Sequence, residues 1–175
     1  MSLPVSRSVP AARASRAPLP IPAGFEALDQ THVEIFRMLQ RLDELLQRLD
    51  RQGPTIAIRA NAKDIARFFD SHGREHHRDE ERLVFPALLA SGDPALIAHV
   101  RRLQQDHGWL EEDWSLLAPQ LHAIARGENR FDMDLLRHTL PNFAALYEEH
   151  IALEESLVYP ASRQQQQMQV QNRTP

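Results

Sequence analysis

Residues 75–87 read Glu75-His76-His77-Arg78-Asp79-Glu80-Glu81-Arg82-Leu83-Val84-Phe85-Pro86-Ala87, and residues 149–161 read Glu149-His150-Ile151-Ala152-Leu153-Glu154-Glu155-Ser156-Leu157-Val158-Tyr159-Pro160-Ala161. Eight of these thirteen positions are identical at fixed register. Each copy sets a histidine four residues ahead of a glutamate. On an α-helix that spacing puts both side chains on one face, about one turn apart.

Working outward, both copies lie within long stretches of helical periodicity. Apolar residues recur at steps of three or four along four segments, the spacing of an inward-facing bundle stripe. The first stripe runs Phe25, Leu28, His32, Ile35, Leu39, Leu42, Leu46, Leu49. The second runs Ile58, Ala62, Ile65, Phe69, His72, His76, Glu80, Leu83. The third runs Leu96, Val100, Leu103, His107, Leu110, Trp114, Leu117, Leu121, Ile124, and the fourth Leu136, Leu140, Phe143, Tyr147, His150, Glu154, Leu157. Short breaker clusters separate them at Gln52-Gly53-Pro54, Ser91-Gly92-Asp93-Pro94 and Gly127-Glu128-Asn129. Asp93 is positioned as an N-cap with Pro94 at the first helical residue. No segment alternates with period two. The expectation is an all-α, antiparallel up-down-up-down four-helix bundle.

Every stripe is interrupted by histidine, and two by glutamate as well. A buried carboxylate is too costly to leave unpaired, and a buried imidazole needs partners. The depths of these residues supply a reason for them. From Gly53, His32 lies 21 residues back and His76 lies 23 on; from Gly92, His76 lies 16 back and His107 15 on; from Glu128, His107 lies 21 back and His150 22 on. At about 1.5 Å of rise per residue the mismatches are only about 1.5–3 Å. Four imidazoles and two carboxylates therefore meet in one layer, a donor set suited to iron, manganese or zinc. Two carboxylates in such a layer can bridge a pair of ions.

The string His-x-x-x-Glu-Glu-x-x-x-(Phe/Tyr)-Pro, found twice, with lone histidines in the first and third helices, resembles the hemerythrin-like (HHE cation-binding) domain over about residues 25 to 162. The resemblance implies a non-haem site of two iron ions that binds dioxygen or a related small molecule such as nitric oxide or peroxide. It also implies His32, His76, His107 and His150 as ligands, with Glu80 and Glu154 as bridging carboxylates. The oxygen carriers of that family have a second histidine one turn after the third-helix ligand, where this chain has Glu111. Their last carboxylate is an aspartate five residues after its histidine, and here it is Glu154, four after. The first departure leaves the shell one imidazole short, to be completed by His72 or Glu111 or left open. An open position favours chemistry with dioxygen, peroxide or nitric oxide over simple carriage. His77 is expected at the rim, His99, His122 and His138 at the surface, Glu81 and Glu155 in solvent, and Trp114 and Tyr147 in the core. The ferritin-like motif Glu-x-x-His is missing, since Gly73, Gln104 and Tyr147 stand three residues before His76, His107 and His150.

The bulk composition agrees with one soluble domain. The chain has 175 residues, 42% of them hydrophobic and 25% charged. A net charge of -4 without a basic stripe gives no nucleic-acid footprint, and no apolar run approaches membrane-span length. With no cysteine, disulfides, iron–sulfur clusters and thiol catalysis are excluded, and a cytoplasmic setting is expected. Residues 1–24 hold five of the twelve prolines, three arginines and no acid, and read as a flexible leader; residues 164–175 read as a glutamine-rich frayed tail. The domain between them, 25–163, has no substrate pocket, nucleophile or general acid in its pattern. Together with the resemblance it reads more as a metal- and oxygen-binding protein, monomeric or a small homo-oligomer, than as an enzyme, with peroxide- or nitric-oxide-detoxifying activity left open. The alternative is a regulatory module whose folding follows metal supply.

Overall fold

The computed structural model describes residues 21–172, with side chains from Phe25 onward. The described residues are helical apart from short connections, and no strand occurs among them. The helices are α1 (Ile21–Gln52), α2 (Ile56–Phe68), α3 (Arg74–Leu83), α4 (Phe85–Leu89), α5 (Pro94–Arg126), α6 (Met133–Leu153) and α7 (Tyr159–Gln171). A π-helical segment, Phe69–Gly73, joins α2 to α3, and a second, Glu154–Val158, joins α6 to α7. The seven helices thus form four rods: α1, α2 to α4, α5, and α6 to α7. α1 packs on α2 and α6, and α5 packs on the same two. No helix among the described residues is long and apolar enough to cross a membrane.

Local chemistry fixes the rod ends. Thr55, Asp93 and Asp132 cap α2, α5 and α6 with their side-chain oxygens, Asp93 accepting from Ala95 N at 2.8 Å. Gly127 closes α5 at φ 76°, in the left-handed region that glycine enters without a Cβ penalty. Residues 1–20 of the expected leader lie outside the described residues. α1 begins at Ile21, inside the span expected to be leader. The glutamine-rich stretch expected to fray is helical as far as Gln171, beyond which the last three residues lie outside the described ones.

The stripes bury largely as the periodicity predicts, with Leu45 rather than Leu46 fully inside α1. They form two apolar clusters. One gathers Ile35 to Leu49, Ile58 to Phe69, Leu110 to Ile124 and Leu136 to Ile151. The other holds Phe25, Leu28, Val84, Phe85, Leu88, Val100, Leu103, Val158 and Tyr159. Between them lies a layer of buried histidines and carboxylates.

Candidate metal centre

All six core polar residues expected from the sequence meet in that layer. His32, His76, Glu80, His107, His150 and Glu154 are each at most 5% exposed. Four donors cluster on one side, His32, His76, Glu80 and Glu154; on the other, His107 and His150 join the same two carboxylates. Glu80 faces both ways. Its Oε1 is 3.5 Å from His76 Nε2 and its Oε2 is 3.3 Å from His107 Nε2. Glu154 does the same, with Oε2 3.2 Å from His32 Nε2 and Oε1 3.1 Å from His150 Nε2. The Nε2 atoms of His32 and His76 are 3.1 Å apart.

His72 and Glu111, the two candidates for completing a shell that could also stay open, lie outside this layer. His72 is exposed, stacked on Phe68 and 3.0 Å from Ser71 Oγ. Glu111 is exposed and faces Arg74 at 3.6 Å. His77, expected at the rim, is buried instead and forms a third cluster with His107 and His150. Its ring stacks on His107 with centroids 4.1 Å apart and planes 14° apart. The π-helical segment Phe69–Gly73 lies immediately before the helix that carries His76 and His77. It inserts an extra residue into one turn, so Gly73 takes the inward place that α-spacing assigns to His72. Beyond it, His76 and His77 are both buried. Gly73 fits because a Cβ there would lie 3.3 Å from Phe69 Cδ1 and 3.4 Å from Tyr147 Oη.

The second π-helical segment does the same on the fourth rod. Leu157, the expected end of its stripe, is half-exposed, while Val158 and Tyr159 are buried. Tyr159 stacks on His32, with centroids 5.3 Å apart and planes 12° apart. Its hydroxyl donates to Glu80 Oε1 and lies 3.3 Å from His32 Nε2.

The outward nitrogens are held by further carboxylates. Glu155 Oε1 is 3.0 Å from His32 Nδ1, and Glu81 Oε1 is 3.0 Å from His107 Nδ1. Both glutamates are about half-exposed, yet each ties a buried imidazole. Asp106, which the stripes did not mark, is buried with Oδ2 3.7 Å from His150 Nδ1. The two glutamate contacts fix the His32 and His107 rings with Nε2 pointing inward and raise the basicity of that nitrogen, whereas Asp106 lies beside His150 beyond hydrogen-bond distance.

Electrostatics show a layer built for cations. Burial holds the His76 imidazole down at about 4, against the pull of Glu80. Burial, aided by His107, also drives His77 well below its ordinary value. His32 is opposed by burial but raised overall by Glu154 and Glu155. Burial works against ionised Glu80, yet His76 and His107 bring it well below the usual carboxylate range. Burial and the nearby Glu80 charge push Glu154 well above that range. The pair of carboxylates therefore disfavours a second negative charge, which a proton on Glu154 or another bound cation relieves.

The donor atoms also fit an ion directly. The inward nitrogens of His107 and His150, Oε2 of Glu80 and both oxygens of Glu154 have no hydrogen-bond partner, although all are buried. Such orphaned groups are rare in native cores. Donors about 2.1 Å from one ion at right angles lie about 3 Å apart, close to the 3.1–3.5 Å separations found here. A small cavity of about 10 Å³, roughly one water in size, lies against His77 between Phe69, Leu110, Trp114 and Tyr147, with Arg74 and Glu111 also lining it.

Fold and site together define an all-helical protein with a buried histidine–carboxylate centre fitted for cations. The family model described as the Hemerythrin HHE cation binding domain matches residues 23–162, and the chain belongs to that family. An uncharacterized protein of Haemophilus influenzae is 33% identical over 132 residues, covering 75% of this chain and 74% of its own. Uncharacterized proteins of Mycobacterium bovis and Mycobacterium tuberculosis are each 31% identical over 140 residues, covering 79% of this chain. The match takes in 52% of the mycobacterial proteins, so this chain spans about half their length. No solved structure matches.

Proposed function

We propose that this chain is a non-haem di-iron protein that binds dioxygen or a related small molecule, nitric oxide or peroxide. The observation that carries the reading is the double-facing geometry of Glu80 and Glu154. Each gives one oxygen to the His32 and His76 side and the other to the His107 and His150 side, as carboxylates bridging two ions must. On this reading His32 and His76 serve one ion, and His107, His150 and His77 the other. Iron suits a donor set of imidazoles and carboxylates without sulfur. When bound, it supplies the electrons and open positions that small oxidants need. The protein's own part is to fix the His107 and His32 rings through Glu81 and Glu155 and to shut water out with an apolar cluster on each side. The cavity beside His77 matches the size of a diatomic rather than an organic substrate.

The accompanying fold is an antiparallel up-down-up-down bundle, supported by the short connections 53–55, 90–93 and 127–132 between consecutive rods. A second reading, a module whose stability follows metal supply, is favoured by one observation. The layer splits the apolar core in two, so without ions the repelling carboxylates sit between its halves. The test is metal analysis with an optical spectrum of the reduced protein before and after exposure to air. Two irons per chain with a reversible oxygen-dependent band support binding. Iron lost on oxidation, with collapse of the thermal transition, favours the second reading. A chain that takes up no iron contradicts both.

A further inference from the structure

The two sides of the layer are not equally supplied with donors. His107 and His150 stand on one side with the two shared carboxylates, and His77 forms a further group with the same two histidines. His32 and His76 stand on the other with the same carboxylates, making four. The missing donor has a candidate in place. Tyr159 Oη lies 3.3 Å from His32 Nε2 and is hydrogen-bonded to Glu80 Oε1, the oxygen that faces His76. Two atoms that would surround one ion, His32 Nε2 and Glu80 Oε1, thus already lie against the phenol oxygen. The ring is 1% exposed and packed edge-on by Phe25 at 5.5 Å, so water does not compete for that position.

The repeated motif provides an internal control. Phe85 occupies the matching place in the first copy and stacks on His107 with centroids 5.7 Å apart and planes 17° apart. Stacking on the imidazole needs only a ring. The hydroxyl is additional, and it occurs on the side that lacks the extra histidine.

Resting on the di-iron reading above, we propose that Tyr159 is a protein ligand of the ion held by His32 and His76, so that the two ions have different shells, one with a phenolate and one with an extra imidazole. On coordination the proton that the hydroxyl now donates to Glu80 is released to solvent, and the phenol oxygen bonds the ion. No electron transfer is needed, because a ferric ion formed by air oxidation of the loaded protein already favours phenolate over phenol.

The chain contains only two tyrosines, Tyr147 and Tyr159, which makes the assignment testable by resonance Raman and visible absorption of the air-oxidised, iron-loaded protein. Phenolate-to-iron absorption with enhanced tyrosine ring modes is expected in the parent and in Tyr147→Phe. Both signals, read per bound iron, should vanish in Tyr159→Phe. Signals that persist in Tyr159→Phe, or vanish in Tyr147→Phe, overturn the proposal. A parent protein that holds two irons and shows no tyrosine modes also overturns it and leaves the di-iron reading intact. A parent that binds no iron removes both.

Discussion

The two copies of the thirteen-residue motif share a frame and differ in what they add to it. At the positions held in common, His76 and Glu80 match His150 and Glu154, and Glu81 matches Glu155. All six contribute in the same way: an inward imidazole, a carboxylate facing both sides, and an outer carboxylate on the Nδ1 of a histidine from another rod. At two other positions the copies exchange chemistry. His77 in the first copy is matched by Ile151 in the second, and Phe85 by Tyr159. Ile151 packs in one apolar cluster and Phe85 in the other, while His77 and Tyr159 reach the polar layer. Shared positions therefore set the centre's existence, and unlike positions set its asymmetry.

Breaking a shared position should have the largest effect. Glu154→Ala removes a donor from both sides and leaves buried imidazoles without their carboxylate. On the di-iron reading, iron is expected to fall from two per chain to well under one, and the melting temperature by roughly 10 °C; metal analysis and calorimetry check both. Making the copies alike at an unlike position should cost one ion only. His77→Ile copies the second motif onto the first, and iron should drop to about one per chain with the His32 side still filled.

Smaller effects are expected at the outer carboxylates. Glu81→Gln and Glu155→Gln keep size and lose charge, and each should weaken metal binding about 10–100-fold. Chelator competition should show the loss at the His107 side for the first and at the His32 side for the second. The smallest difference concerns protons in the metal-free protein. His76 is held at about 4 in the folded state, against 6.5 ordinarily. A lowered value gives stability that is present above 6.5 and is lost as pH falls toward 4, because the unfolded chain takes up the proton first. His32 and Glu154, both raised, work in the opposite direction, so a difference measurement is needed. Between pH 7 and pH 5, His76→Leu should lose about 2 kcal/mol less than the parent in urea unfolding.

The layer of six was legible in the sequence because helical rise is regular. Counting residues from each turn to His32, His76, His107 and His150 required nothing beyond the pitch of an α-helix. The same regularity explains what escaped notice. Between Phe69 and Gly73, and again between Glu154 and Val158, the backbone departs from α-spacing. A stripe extrapolated at three or four residues per step then points to His72 and Leu157, where the folded chain turns Gly73 and Val158 inward, with His77 and Tyr159 buried further along. The doublet His76-His77 carried the signal, as did the substitution of Phe85 by Tyr159 within an otherwise matched repeat. Asp106 was hidden because it precedes a seam histidine, and only the packing of α5 against α6 brings it near His150. Glu81 and Glu155 look solvated from their positions, and only the contact with a neighbouring rod gives them a role.

The central claim is that Glu80 and Glu154 each hold two ions at once. Crystals of the iron-loaded protein, measured at the iron absorption edge, test it most directly. Two anomalous peaks per chain are predicted, one beside His32 and His76 and the other beside His77, His107 and His150, with both carboxylates between them. A single peak, or two peaks that do not share the carboxylates, would contradict the account.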